Sequence, residues 1–349
     1  MTMPTAQLLW LTLLGAIQNG ELDCIVENIS CPCGTSRSTV QLSNRLSCNG
    51  SSMNEDPCFG FQNCKTCRMG LDRCLTCPEG KSGSFCNEIS ECGNAKQLTR
   101  RIANGDMTNE GDWPWHVGLS RYNGRDWSIY CGGVLISSTT VITAAHCLPS
   151  RREEDYHLYF GKYYFRLDED DEEVEMRTPS RLIIHPRYNI SAPLDADIAV
   201  IRFSPPVPFT DRIRPICLPT AVSSRKNLVH GNKGWVTGWG LTENQVASDV
   251  LLVATLPVVS TPNCKEDYRR SGRKLQITKN MFCAGYEEGR TAACSGDSGG
   301  PMMFLREKDH RYVLEGLVSF GPDGECDQPR HFSIYTKVQN FLKWIKQNA

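Results

Sequence analysis

No run after the first twenty of the 349 residues is apolar enough to cross a bilayer, and neither sign of charge dominates. The chain carries 39 acidic and 38 basic residues, a net charge of −1. The first absence gives no reason to expect a membrane-spanning helix downstream. The second removes the usual pointers to nucleic acid or to a polybasic membrane anchor. Residues 21–91 have a further shortage. They are polar and glycine-containing with too few apolar side chains for a core, so covalent bonds must hold any order there.

Cysteine supplies those bonds. The total of 18 is too high for a reducing compartment and suits an oxidising one. Ala6 to Ile17 is apolar apart from Gln7 and Thr12, which matches the length of a signal-peptide core and is too short to span a membrane. No Lys or Arg precedes it, and Gly15, Ala16 and Gly20 offer cleavage sites, so residues 1–20 are expected to be a signal peptide and the mature protein to be secreted and extracellular. Asn28, Asn49 and Asn189 head Asn-x-Ser sequons, the expected glycosylation sites.

Ten cysteines fall in residues 21–91: Cys24, Cys31, Cys33, Cys48, Cys58, Cys64, Cys67, Cys74, Cys77 and Cys86. The spacings Cys64-x-x-Cys67 and Cys74-x-x-Cys77 could hold zinc, but in a secreted chain oxidation is expected and no metal is assigned. Cys74 through Cys86, with Gly80 and Gly83 between, resembles the close of an EGF-like or laminin-type module, whose role would be spacing or contact with an extracellular partner. Residues 92–101 read as a linker and 102–349 as a separate domain.

The chemistry is concentrated in Ala293-Cys294-Ser295-Gly296-Asp297-Ser298-Gly299-Gly300-Pro301. Ser298 sits among glycines on a tight turn, where its hydroxyl is exposed and backbone N–H groups can approach a carbonyl oxygen. A serine hydroxyl needs a base and a group to orient that base. His146 ends the apolar run Val141-Ile142-Thr143-Ala144-Ala145, and Asp197 opens the run Ile198-Ala199-Val200. The chain order His, Asp, Ser excludes an α/β-hydrolase, in which the acid and then the histidine follow the serine; His310 and His331 do follow Ser298, but neither lies in a comparable context.

On these motifs residues 92–349 resemble a trypsin-like serine protease of the chymotrypsin fold. Within that family Gly161-Lys162-Tyr163-Tyr164, Pro215-Ile216-Cys217-Leu218-Pro219 and 280–286 are similar to horseshoe-crab clotting zymogens, whereas 61–67 and 194–199 are similar to a catalytically degenerate relative. The intact His146, Asp197 and Ser298 set speaks against degeneracy.

The resemblance implies an all-β fold of two antiparallel barrels with the triad in the cleft between them. Independently, β-branched and aromatic stretches such as 113–119 and 131–136 read as strands, and the spacing of Val338, Phe341, Leu342 and Ile345 predicts a terminal helix. The family pattern pairs Cys92 with Cys217, Cys131 with Cys147, Cys264 with Cys283, and Cys294 with Cys326. It makes Arg101-Ile102 the activation site, where an upstream protease would cut and the new Ile102 α-ammonium would pair with Asp297 to order the oxyanion turn at Gly296 and Ser298.

The resemblance also places the substrate pocket at Ala292, Ser319, Gly321 and Ser333. Ala292 stands where trypsin-like members carry an aspartate, so cleavage after an apolar residue is expected rather than after Arg or Lys. Glu325 and Asp327 are the acidic residues close enough in sequence to alter that expectation. The run Asp168-Glu169-Asp170-Asp171-Glu172-Glu173 occupies the loop where some relatives bind calcium, but Lys162 stands near a ligand position, so no cofactor is expected.

Overall fold

The computed structural model describes residues 92–95, 106–169, 172–242, 245–270, 272, 276–289, 293–321, 329 and 332–349, together with short strands between residues 24 and 89. The expected signal peptide, Asn28, Asn49, Arg101, Ile102, Ala292, Glu325, Cys326 and Asp327 lie outside the described residues. The chain divides into two units, 1–90 and 91–349.

In the first unit Ser47–Cys48 pairs with both Cys24–Ile25 and Ser51–Ser52. Thr66–Cys67 pairs with Cys74–Thr76, and Lys81–Ser82 with Glu88–Ile89. These are strands of two or three residues, well below the usual length of about five. Such brevity fits a segment with little apolar surface to bury.

The second unit is mostly β. One sheet runs Glu175–Arg177, Tyr156–Phe160, His116–Tyr122, Trp127–Ser137, Thr140–Thr143, Ala199–Phe203 and Pro179–Ile184, all antiparallel. Its two end strands do not pair with each other among the described residues, which leaves a half-barrel. The other sheet runs Lys233–Gly238, Pro301–Arg306, Arg311–Phe320, Ser333–Lys337, Met281–Ala284, Leu252–Val259 and Asp106–Met107. Lys233–Gly238 pairs in addition with Leu252–Val259, and this closes six strands into a barrel. The architecture is the chymotrypsin-type one that the motifs implied.

Alternation explains the strands. In Tyr156–Phe160 residues Tyr156, Leu158 and Phe160 are buried while His157 and Tyr159 are half-exposed, the period-two pattern of a sheet with one wet face. Thr140–Thr143 is buried throughout, as a strand flanked on both sides must be. One core cluster takes Val117, Leu119, Ile142 and Ile201 from the first sheet and Met303, Leu314 and Leu317 from the second. Trp115 crosses between them: its ring meets Tyr312 at 5.4 Å and its indole Nε1–H donates to Met303 Sδ at 3.1 Å.

The terminal helix docks as predicted, with Val338, Phe341 and Ile345 buried. Its first turn, Val338–Phe341, is a tighter 3-10 turn, and the α-helix proper is Leu342–Asn348. Two helices had no sequence expectation. Ala221–Asn227 starts at a reciprocal cap between Thr220 and Ser223, and Thr261–Arg270 is tied by Cys264 to Cys283.

Three of the four implied disulfides are present: Cys92–Cys217, Cys131–Cys147 and Cys264–Cys283. Cys294 is also disulfide-bonded, while its implied partner Cys326 is outside the described residues. Beside the first bridge, Gly93 exchanges hydrogen bonds with Tyr312 and Pro215, N–H to Pro215 O at 2.8 Å and O from Tyr312 N–H at 2.8 Å. Its φ of 72° and the nearness of the Tyr312 backbone admit no side chain there. Among the described residues no helix is long and apolar enough to cross a membrane.

Candidate active site

The strand Thr140–Thr143 ends in a 3-10 turn, Ala145–Cys147, which carries His146 out of the sheet. The neighbouring Cys147 fastens that turn to Cys131. Asp197 lies two residues before the strand Ala199–Phe203, which pairs with Thr140–Thr143 in the register Thr143↔Ala199. Adjacent strand ends therefore bring together two residues 51 apart in sequence. His146 Nδ1 and Asp197 Oδ2 are 2.7 Å apart, and the His146 backbone N–H donates to Oδ1 at 2.9 Å. The Asp197 side chain is fully buried; that of His146 is 27% exposed, which leaves its outer edge open to a reactant.

Two further groups hold Asp197, and neither was assigned that part from the sequence. Ser319, expected only as pocket wall, donates its hydroxyl to Asp197 Oδ2 at 2.5 Å. Thr336 donates to the Asp197 carbonyl oxygen at 2.9 Å. Ser319 satisfies an oxygen of the buried side chain, and Thr336 fixes the backbone that carries it. The contacts join the first sheet to the second, 122 and 139 residues away. No local motif announces them.

Ser298 belongs to a compact turn. Asp297 N–H donates to Cys294 O at 3.0 Å and Gly300 N–H to Asp297 O at 2.9 Å. The Ser298 carbonyl accepts from Gly132 N–H at 2.7 Å, and Gly299 N–H donates to Val318 O at 2.7 Å. These bonds dock the turn on both sheets. Gly296 and Gly299 have φ of 103° and 78°. A Cβ at Gly299 would strike Thr143 Oγ1 and the Gly132 carbonyl, so only glycine fits. The N–H groups of Gly296 and Ser298 make no hydrogen bond among the described residues. Nor does one join Ser298 Oγ to His146 Nε2, a bond that is often long in a ligand-free site.

Asp297 is turned inward. Its Oδ1 accepts from Gly240 N–H at 2.9 Å and its Oδ2 from Cys294 N–H at 2.8 Å. A side chain at Gly238 or Gly240 would collide with this carboxylate. Desolvation pushes its pKa up to about 6, only partly offset by the two backbone donors. No described cation lies within ion-pair distance of it.

Near this turn is a group that the sequence did not single out. His116 is buried, shares a hydrogen bond of 2.8 Å with Thr237 Oγ1, and meets Trp239 edge-on at 4.9 Å. Its Cε1 lies beside the backbone of Gly132 and Gly300. Burial lowers its pKa to about 3, so the ring is neutral at ordinary pH.

The pocket residues partly converge. Ser333 is buried and donates to Ala293 O at 3.2 Å. A Cβ at Gly321 would stand 3.5 Å from that same carbonyl and 3.9 Å from Ser333 Oγ. Gly321 and Ser333 thus flank Ala293 without a charge, whereas Ser319 turns its hydroxyl toward Asp197. Tyr335, one strand residue from Ile334, is buried, and burial and then Asp297 raise its pKa.

Two metal questions are answered by chemistry. Cys131, His146 and Cys147 cluster within 4.8 Å, but both sulfurs are spent in the disulfide and no thiolate remains to ligate. In the acidic loop Lys162 is buried and its Nζ donates to Arg166 O at 2.8 Å, so a cation there would meet an ammonium. Asn189 is exposed, with φ of 60°, and its Oδ1 accepts from Leu194 N–H at 3.0 Å.

Comparison with known proteins agrees with this geometry. The family model described as Trypsin matches residues 102–345. Clotting factor C of Tachypleus tridentatus is 41% identical over 277 residues, covering 76% of this chain and 27% of that protein. Limulus clotting factor C of Carcinoscorpius rotundicauda matches to the same extent. Proclotting enzyme of Tachypleus tridentatus is 36% identical over 265 residues, covering 74% of this chain and 68% of that protein. The chain spans about a quarter of the length of the clotting factor C relatives.

Proposed function

Because the chain belongs to the trypsin family, we propose that it is a secreted serine endopeptidase, made as a zymogen and switched on by cleavage after Arg101. The observation that carries this reading is the pairing of an open-edged His146 with a fully buried Asp197, beside a tight Ser298 turn in which the N–H groups of Gly296 and Ser298 have no acceptor among the described residues.

Ser298 Oγ attacks the scissile carbonyl as His146 Nε2 takes its proton. The imidazole then returns the proton to the leaving amine, and a water repeats the sequence to free the acyl group. Asp197 fixes the Nδ1–H tautomer and stabilises the imidazolium. Gly296 and Ser298 N–H groups bind the oxyanion, each such donor contributing about 3 kcal/mol to the transition state. Ile102, once freed, inserts its α-ammonium beside Asp297. Cys92–Cys217 then keeps the cysteine-rich module, which we read as EGF-like, attached to the cut enzyme.

A pocket set by the uncharged Gly321, Ser333 and Ala292 favours an apolar residue before the scissile bond, since none of the three would compensate a desolvated Arg or Lys. An enzyme of that specificity does not cut after Arg101, so a separate protease activates it. The relatives named for clotting make a proteolytic cascade the setting we favour.

The test is to cut after Arg101 with a trace of an Arg-specific protease, then to label with a fluorophosphonate and profile a peptide library. Labelling that is lost in Ser298→Ala, with cuts after apolar residues, is expected. Cuts after Arg or Lys would place an acidic residue such as Glu325 or Asp327 in the pocket. An unlabelled protein with a free Ile102 would instead be a protease-fold scaffold acting through residues 21–91.

A further inference from the structure

The hairpin between the strands His116–Tyr122 and Trp127–Ser137 turns at Asn123-Gly124-Arg125-Asp126, and all four residues are exposed. Tyr122 and Trp127 form the last cross-strand pair, and beyond it Asn123 N–H donates to Asp126 O at 3.1 Å. The Asn123 side chain is held as well. Its Oδ1 accepts from Arg125 N–H at 2.9 Å and from Asp126 N–H at 3.0 Å.

The first of these bonds closes an Asx turn, in which the side-chain carbonyl stands in for a backbone one. Such a ring folds the side-chain carbon Cγ back over the nitrogen of the next peptide, here that of Gly124. Gly124 has φ of 96°, a left-handed conformation natural to glycine, and a Cβ built on it would meet nothing within 4 Å. Neither Gly124 N–H nor Asn123 Nδ2 makes a hydrogen bond among the described residues. The nitrogen that could attack and the amine that could leave are therefore both open, while two N–H groups polarise the carbonyl between them. They are placed as oxyanion donors are, on the oxygen where charge would develop.

We propose that Asn123 is a site of self-modification, converted to aspartate and isoaspartate through a succinimide. The Gly124 nitrogen gives its proton to solvent base and bonds to Asn123 Cγ, and negative charge collects on Oδ1 under the Arg125 and Asp126 N–H groups. The Cγ–Nδ2 bond then breaks, and Nδ2 takes a proton from water and leaves as ammonia. A second water opens the ring, at Cγ to give aspartate or at the backbone carbonyl carbon to give isoaspartate. Either product puts a new carboxylate at the hairpin tip. Asn189 supplies the contrast within the chain. Its Oδ1 also accepts a backbone N–H, from Leu194, but the next residue is Ile190, whose branched side chain crowds the attack. No other described asparagine precedes a glycine.

The test follows the full uncut chain over days in mildly alkaline buffer, by peptide mapping with mass spectrometry and by isoaspartyl methyltransferase labelling, and needs no activity. A second sample is reduced and held unfolded in denaturant. There Asn104-Gly105, the same dipeptide, gives the rate that sequence alone confers. Asn123 in the folded chain is expected to convert at least as fast as that reference, with Asn189 intact. A rate at Asn123 well below the reference would show that the turn keeps Cγ from the Gly124 nitrogen, and would overturn the proposal. Asp126→Pro removes one of the two N–H donors and leaves Asn123-Gly124-Arg125 in place. Conversion slowed by about tenfold is expected, the worth of a hydrogen bond to a charged group. An unchanged or faster rate in that variant would reduce the site to its dipeptide and overturn the part given to the turn.

Discussion

Ser319 and His116 carry the finest distinctions in the site. Asp197 Oδ2 accepts from both His146 and Ser319, so Ser319→Ala removes one of two donors while leaving the imidazole contact in place. A hydrogen bond to a charged group is worth about 1.5–3 kcal/mol. Steady-state kinetics of the activated variant should therefore show kcat lowered by about ten- to a hundredfold with KM nearly unchanged, against a loss of about 10⁴-fold for Asp197→Asn. An effect on KM alone would return Ser319 to the role of pocket wall. His116 makes a different prediction. Its folded pKa of about 3 lies below the ordinary 6.5, so its contribution to stability is complete above pH 6.5 and is lost as pH falls toward 3. Thermal melts from pH 7 to 4 should show a shallower acid limb in His116→Gln than in the parent protein; parallel limbs would mean that the ring is solvated.

At the scale of elements, the turn 294–300 has almost no freedom to change. Gly299→Ala would force a side chain into the left-handed region and against Thr143 Oγ1 and Gly132 O. A cost of at least about 2 kcal/mol is expected, seen as a melting point lower by about 4–8 °C for a domain of this size. An unchanged melting point would show that the turn relaxes. This turn, the strand end bearing His146 and the one bearing Asp197 were legible in the sequence, because each is a short motif whose residues meet their own neighbours. The strands and the terminal helix were legible for the same reason, as periodic runs with turns between them, whereas their assembly into two barrel-like sheets was implied by the family resemblance, and that one of them stays a half-barrel was not foreseen. The Thr237 contact of His116 and the Ser319 hydroxyl were not legible. Each depends on two segments about 120 residues apart, and a serine or histidine in a strand looks the same whether it faces a carboxylate or a methyl group. The two unexpected helices were missed because their apolar faces are narrow: only Ser224 is buried in one, and only Cys264 and Tyr268 in the other.

Over the whole molecule, activation should be visible as a change in how stability depends on pH. In the uncut chain Asp297 has a pKa of about 6, above its ordinary 3.8, because burial disfavours the carboxylate and no described cation compensates it. The folded state then holds a proton that the unfolded state has released, so this group lowers stability as pH rises from about 3.8 through 6. If cleavage after Arg101 delivers the Ile102 ammonium to Asp297, the pair reverses the sign: the carboxylate is favoured in the fold and its pKa falls below the ordinary value. The melting-point difference between cut and uncut protein, both carrying Ser298→Ala to prevent autolysis, should therefore be small near pH 4 and grow through pH 6. It should level off around neutrality and shrink again only where an α-amino group begins to lose its proton, above about pH 8. In Asp297→Asn the difference should lose its pH dependence between 4 and 7. A constant offset in the Ser298→Ala protein would mean that the new terminus never reaches the carboxylate, and that the oxyanion turn is ordered before the chain is cut.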